Sequence, residues 1–432
     1  MEQDEPGVEH RDPMYFGYYA QLQHQQNMLQ DTVRTSTYRS AILLNGPQCF
    51  QDKLVMDVGA GSGILSYFAA QAGAEHVYAV EASAMAKKME KLVKDSGPGK
   101  NEFMQGKITV INAKIEDPNL PIPQVDTIVS EPIGVLLFHE RMLESYVYAR
   151  DHYLKPGGAL FPSKGSIYLA PFTDAGLFTE TMAKSRFWEQ TNFYNVDLSS
   201  LYQDAKREMF GMPVVGHFDP NQLMTTPTVL DTHVVDFATV TVEQLKDITM
   251  PIRWTTNYTG LMHGVAGWFD LSFAPPPYDQ STLDTLTDEQ RQLLAGTTID
   301  MSTSPSADRT HWQQVRFLFK EPLAVNATQQ IHGWMRCIVN EMRSYTIFVE
   351  LAMDASLLSD AAQLDTSKKS NGDYTFAAIS CHRPLVRRGV WELHEQTYNY
   401  NYNPDVTQPG QQIEYNCLYQ PDSLMDTYND ME

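Results

Sequence analysis

The sequence predicts an α/β unit built on a parallel sheet, followed by an antiparallel β domain. Three observations carry this prediction. Between residues 52 and 160, short apolar runs alternate with segments of helical periodicity, as strands joined by crossover helices do. The first of these runs ends in glycines at 59, 61 and 63, which open the next helix. Beyond Pro156-Gly157-Gly158 the helical pattern gives way to β-type runs at 166–169, 229–235, 266–273, 315–319 and 346–351.

Length and composition agree with that plan. The 432 residues exceed one ordinary domain, and 42% hydrophobic residues suffice for a core. With 53 acidic residues against 32 Lys and Arg the net charge is −21, a surface that repels phosphate backbones, so no direct nucleic-acid ligand is expected. A cationic partner suits such a surface; so does solubility alone. The cysteines at 49, 337, 381 and 417 form no C-x-x-C pair, so neither a disulfide framework nor a metal site is expected. No apolar run approaches the ~20 residues that span a bilayer, so no membrane partner is expected.

In chain order, residues 1–12 are acidic and polar and read as a disordered N-terminus without signal-peptide features. Tyr15, Tyr18, Tyr19, Leu22, Met28 and Leu29 recur with helical spacing and define a helical segment over 13–45, closed by Asn45-Gly46-Pro47. The α/β unit spans 46–161, with strands at 54–58, 76–80, 108–111 and 126–129 and helices at 64–72 and 83–94. The β domain spans 162–355. A helix-like insert at about 175–201 interrupts it, as does an acidic surface excursion at about 274–308. Residues 356–432 form a C-terminal extension. From 391 onward it holds eight acids and no Lys or Arg, the composition of a mostly disordered tail.

The sharpest local signal is DVGAGSG at 57–63. Glycines let the chain turn tightly and let a ligand approach the backbone. The dinucleotide fingerprint needs a third glycine where Ile64 stands, which excludes that reading. The D-x-G-x-G-x-G pattern resembles the cofactor loop of S-adenosylmethionine-dependent methyltransferases, with Asp57, Gly59, Gly61 and Gly63 as its members. Glu81, closing the second strand, is placed to accept from ribose hydroxyls, and Glu116, just past the third, from an adenine amino group. A glycine turn with two helix-capping acids is the plainer alternative.

Glu131 and Glu140 follow the fourth strand, with Pro132 and Gly134 between them. Ligands of open α/β sheets sit at the carboxyl ends of the strands. On the two arms of a hairpin-like loop both carboxylates could face one cavity, where they repel unless a cation lies between them. A guanidinium matches, because its planar fork binds carboxylates bidentately. Taken alone, the spacing is better explained by two solvated acids.

Three separated segments together resemble one family. Residues 131–140 resemble the double-glutamate loop of protein arginine methyltransferases, Thr310-His311-Trp312 is similar to their T-H-W loop, and 15–38 resembles their N-terminal lid. Pro132, the RMLES continuation at 141–145 and VEASAMA at 80–86 look most like the coactivator-associated branch. The resemblance implies a Rossmann-like methyltransferase domain followed by a β-barrel domain, with the insert as a helical dimerisation arm. It implies that Glu131 and Glu140 grip the substrate guanidinium and that His311 and Asp31 pair beside it. Arg34 would take the methionine carboxylate of S-adenosyl-L-methionine, with Gln25 and Met28 alongside, Glu81 on the ribose and Glu116 on the adenine. Tyr19, Met142 and Trp312 would line the substrate side, and Met28 and Met142 would restrict the product to asymmetric dimethylarginine. The implied whole is a type I enzyme, homodimeric, nuclear and cytoplasmic, acting on arginine-containing proteins such as histone H3 or RNA-binding and splicing proteins. Taken singly, Asp31 and Arg34 also read as a surface pair at i and i+3, His311 as a packed ring and the methionines as core filler. Ile133 and Val135 stand where many animal relatives carry Met and Tyr, and His139 where close relatives carry Asn. A small-molecule methyltransferase and an inactive scaffold are the rival readings.

Overall fold

The computed structural model describes residues 11–226, 230–277, 287, 297–364, 369–370, 373–374 and 385–398. Residues 1–10, much of the excursion expected at 274–308 and the tail from 399 lie outside the described residues.

The N-terminal segment is three helices rather than one: α1 (Asp12–Tyr19), α2 (Leu22–Gln30) and α3 (Thr32–Leu44). Asp31 makes the second break, with non-helical φ −67° and ψ 93°, and its side chain caps α3 by accepting from the Arg34 N–H. Apolar periodicity continues across that break and so conceals it. Asp12 lies inside a helix and is buried, so the disorder expected for 1–12 does not extend to it.

The α/β unit comprises β1 (Leu54–Val58), α4 (Ile64–Gln71), β2 (His76–Val80), α5 (Met85–Lys94), β3 (Ile108–Ile111), β4 (Val125–Ser130), α6 (Met142–Tyr153) and β5 (Leu154–Phe161). All five strands are parallel, in the order β3-β2-β1-β4-β5. β1 and β4 are buried along almost their whole length, as central strands covered on both faces must be. The chain leaves β1 towards β2 and returns on its other side at β4, so the crevice between their carboxyl ends is a topological switch point. Pro156, Gly157 and Gly158, beyond which the helical pattern gives way, lie inside β5, an edge strand where such residues are tolerated. The Phe161–Pro162 bond is cis and leads into the next domain.

That domain contains β6 (Lys164–Phe172), α7 (Ala175–Arg186), α8 (Tyr202–Gly211), β7 (Val214–Gly216), β8 (Thr232–Asp236), α9 (Val242–Lys246), β9 (Asp247–Thr255), β10 (Gly260–Phe273), β11 (Ile299–Ser302), β12 (Gln314–Val325), β13 (Gln330–Asn340) and β14 (Ser344–Ala352). Then follow a short hairpin of β15 (Lys369–Ser370) and β16 (Asp373–Tyr374), then β17 (Val386–Glu392) and β18 (Thr397–Tyr398). One sheet runs β18-β7-β12-β10-β6-β8 with β11 beside β10, and the other runs β17-β14-β13-β9. The barrel is closed by side chains at the seams between these sheets. Arg387 on β17 donates to the carbonyls of Glu321 and Pro322 on β12, and the Trp254 indole on β9 donates to Leu169 O on β6.

Three elements depart from expectation. β9 alternates buried and exposed residues without a break, yet Pro251 at its centre disguises it; β9 is an edge strand and tolerates the missing N–H. β11, inside the expected surface excursion, pairs with β10. The supposed tail begins with ordered chain: Trp391 is 1% exposed, packs edge-on against Phe317 and anchors β17 in the sheet. Its acid-rich surroundings hid that core residue.

Candidate active site at the switch point

The loop after β1 turns through three left-handed glycines, with φ of 69° at Gly59, 54° at Gly61 and 90° at Gly63. A Cβ on Gly61 would lie 2.7 Å from Gln25 Oε1, and one on Gly63 would lie 2.6 Å from Met89 Cε. The loop is therefore closed to side chains and presents backbone. Gln25, from lid helix α2, accepts from the Ser62 N–H at 2.9 Å and donates to Tyr19 O at 3.1 Å, fastening the lid to the loop.

Asp57 is fully buried below the loop. One oxygen accepts from the Ser66 N–H at 2.9 Å and hydroxyl at 2.7 Å, while the other has no hydrogen-bond partner among the described residues. Burial outweighs these bonds and pushes its carboxyl up to about 7. Glu81 turns its carboxylate into the crevice mouth, accepting from the Gly61 N–H and the Ser83 N–H, both at 2.7 Å. Glu116 differs: it is exposed in the turn after β3, and among the described residues it bonds to none of these groups.

The segment after β4 folds back on itself, with Gly134 and Leu137 in a bridge. A Cβ on Gly134 would stand 2.1 Å from His139 O, which is why glycine occupies the crossing. Leu136, Leu137, Glu140 and Arg141 all have positive φ, a concentration of backbone strain typical of sites held by their surroundings. Glu131 and Glu140 thus lie on opposite arms, as the spacing had allowed.

The two carboxylates have different partners. Glu140 accepts from the Tyr15 hydroxyl at 2.9 Å and from the Tyr19 hydroxyl at 3.0 and 2.8 Å, both from α1. Burial pushes its carboxyl up to about 7 against those donors, and Glu131 adds to the upward push. Glu131 is bonded by Arg34, through Nη2 at 2.8 Å and Nε at 3.2 Å. The guanidinium expected to face a cofactor carboxylate is here engaged by the first glutamate. Spacing could not show this, because the two residues meet only through the fold.

Asp31 accepts from His311 through both the ring Nδ1 at 2.7 Å and the backbone N–H at 2.8 Å. Burial pushes Asp31 up, but these bonds and the Arg34 N–H outweigh it and hold the carboxyl below its ordinary value. The Trp312 indole donates to Ile133 O at 2.9 Å, tying the T-H-W segment to the double-glutamate loop. Met142 places its methyl group 3.5 Å from where a Gly59 Cβ would be. Met28 is half-buried on α2 and shows no side-chain hydrogen bond to the loop. Tyr15 is a site residue that the sequence did not single out, although the aromatic run of the lid contains it. The arrangement joins a backbone cradle to a pair of half-buried acids, the chemistry of a nucleoside-type ligand beside a cationic one.

Comparison with known proteins places these features. Residues 163–356 match the model of the arginine methyltransferase oligomerization subdomain, and 42–131 that of ribosomal protein L11 methyltransferase. The chain is 46% identical over 339 residues to a probable histone-arginine methyltransferase 1.4 of Arabidopsis thaliana, covering 78% of this chain and 59% of that protein. It is 42% identical over 353 residues to the histone-arginine methyltransferase CARMER of Drosophila ananassae, covering 81% and 60%. The chain thus spans about three fifths of the length of these curated relatives. Among solved structures, protein arginine methyltransferase 10 of Arabidopsis thaliana superposes with a TM-score of 0.64 at 30% identity, over 78% of this chain and 94% of that one. A Trypanosoma brucei PRMT1 enzyme-prozyme complex with AdoHcy does so with a TM-score of 0.66 at 26% identity, over 87% and 99%.

Proposed function

This chain belongs to the protein arginine methyltransferase family, and we propose that it transfers methyl groups from S-adenosyl-L-methionine to arginine side chains of proteins. The observation that carries this reading is the pair of acids on one loop at the switch point, one fixed by an arginine and the other by two lid tyrosines.

The residues present fit the cofactor. The glycine loop holds three left-handed positions that side chains rarely adopt, and the Glu81 carboxylate beside it has acceptor capacity for ribose hydroxyls. Arg34 bonds Glu131 through Nη2 and Nε, which leaves Nη1 for a carboxylate. When bound, S-adenosyl-L-methionine supplies an electrophilic methyl group on a positively charged sulfur.

The chain's own residues supply the rest. A guanidinium is a poor nucleophile, because its lone pairs are delocalised and its pKa is about 13 or higher. Glu131 and Glu140 draw its charge onto the nitrogens they bind, leaving the remaining terminal nitrogen richer in lone-pair character. Holding that nitrogen in line contributes ~7–11 kcal/mol in favourable systems. Tyr15 and Tyr19 favour the ionised form of Glu140 that this step needs. As the new N–C bond forms, the nitrogen gives up a proton to Glu140 or to the His311–Asp31 pair. Glu140→Gln keeps the size of the side chain and removes its charge. Methylation of an arginine peptide is expected to fall by about two orders of magnitude or more, with cofactor affinity by calorimetry unchanged. Wild-type methylation by this variant would refute the role.

The finer assignment is type I. Met28 and Met142 would crowd the accepting nitrogen, so asymmetric dimethylarginine is the expected product, and symmetric dimethylarginine in fragment spectra would contradict it. The segment from α7 to α8 exposes Phe187, Tyr194, Val196 and Leu201, apolar surface suited to a homodimer. A monomer at micromolar concentration in sedimentation would count against that. Histone H3 and RNA-binding or splicing proteins are the proposed substrates, and nucleus and cytoplasm the proposed compartments, testable by microscopy of the tagged protein.

A further inference from the structure

One hairpin turn of the β domain touches both the lid helix and the loop that carry the surroundings of Glu140. Residues 341–343 join β13 to β14, whose ends Asn340 and Ser344 pair in register. Three-residue hairpin loops end in a left-handed residue, a position suited to glycine; here Arg343 holds it, with φ 53°. Asn340 Oδ1 braces the turn by accepting from the Met342 N–H at 3.0 Å.

On one side the turn grips the lid. Arg343 Nη1 pairs with Asp12 at the start of α1, and its guanidinium carbon lies 4.4 Å from the centre of the Tyr15 ring. The second Asp12 oxygen pairs with Lys114, which belongs to the cofactor-binding domain. Arg343 Nη2 stands 3.8 Å from Met142 Sδ. On the other side the turn grips both neighbours of Glu140. Ser344 Oγ lies 2.8 Å from His139 Nδ1, and Asn340 O accepts from Arg141 Nη1 at 3.4 Å. Asp12 and Arg343 are each about one-tenth exposed, so water screens this pair little.

We propose that Arg343 is a positioning residue for Glu140, and that its bridge through Asp12 to Lys114 latches helix α1 across the two domains. The stacked guanidinium sets the Tyr15 ring whose hydroxyl donates to Glu140, and its charge favours the ionised glutamate. The charged and titratable groups that bear on Glu140 are Tyr15 and Tyr19 from α1, Glu131 from the opposite arm and Arg343 from the turn. Of these four, Arg343 is the cation. The proposal rests on the reading of Glu140 as the acceptor-site acid.

The test compares Arg343→Met, Arg343→Lys and Asp12→Asn with the wild-type chain on an arginine peptide, with Glu140→Gln as control. In Arg343→Met, kcat/KM is expected to fall about tenfold and the acid limb of its pH profile to move to higher pH. Arg343→Lys restores the position of the limb, because it returns the charge. Asp12→Asn cuts the latch at the lid end, outside the β sheets, and is expected to raise the KM for the cofactor about tenfold. Should Arg343→Met lower the unfolding temperature, Asp12→Asn and Arg343→Lys carry the test. Wild-type kinetics in Asp12→Asn, or a pH limb in Arg343→Met that does not move, overturns the proposal while an inactive Glu140→Gln leaves the site reading intact. An active Glu140→Gln overturns both.

Discussion

Replacing Tyr19 by Phe removes one hydroxyl from the Glu140 carboxylate and little else. The hydroxyl donates to both carboxylate oxygens, at 3.0 and 2.8 Å, while the contact that ties Tyr19 to Gln25 uses its backbone carbonyl and survives the change. A hydrogen bond to a charged group contributes about 1.5–3 kcal/mol, and about 1.4 kcal/mol corresponds to one pKa unit. Because the hydroxyl favours the ionised form, its loss raises the carboxyl by about one to two units from its position near 7. At neutral pH wild-type Glu140 is about half ionised, whereas in the variant about 1–10% is, so kcat/KM falls by roughly 5- to 50-fold there. Above about pH 10 the two enzymes converge. The substrate guanidinium does not titrate in this range, so the acid limb reports the enzyme. The assay is kcat/KM for an arginine peptide at saturating labelled cofactor, across the pH range. A uniform loss at every pH, or an unmoved acid limb, would show that the Tyr19 hydroxyl does not control the ionisation of Glu140.

Two other changes probe the cofactor side. Gly61→Ala forces a left-handed alanine, costing about 1–2 kcal/mol, and drives its Cβ against Gln25 Oε1; calorimetry should show cofactor affinity down at least about tenfold with the fold retained. Asp57→Asn tests linkage. A carboxyl raised to about 7 by burial binds its proton more tightly in the folded chain, so its stabilising contribution is full below pH ~4 and is lost as pH rises through 7. Thermal unfolding of the variant should therefore decline less between pH 4 and 7 than that of the wild-type chain, and an unchanged slope would contradict the assignment.

The sequence showed the switch-point site well where its requirements are local. Three left-handed glycines after an apolar run, and two acids on either side of a tight glycine, are dictated by backbone geometry, and the structure places them so. It failed where the deciding partner is distant. Arg34 lies 97 residues from Glu131, and Arg343 lies 331 from Asp12, in a hairpin turn whose sequence, Glu341-Met342-Arg343, carries no glycine signal. Composition misled in the same way at the C-terminus. Trp391 and Leu393 fill the core from within an acid-rich stretch, because one buried aromatic ring outweighs several solvated charges beside it.

The proposed function requires Glu131 and Glu140 to present an arginine side chain for methylation. Its most direct test is mass spectrometry of a histone H3 tail peptide incubated with the protein and isotopically labelled S-adenosyl-L-methionine, alongside Glu140→Gln. Label on the arginine guanidinium with the wild-type chain, and none above background with the variant, is the predicted result. Label confined to lysine or to small amines, or equal arginine labelling by both chains, would contradict it.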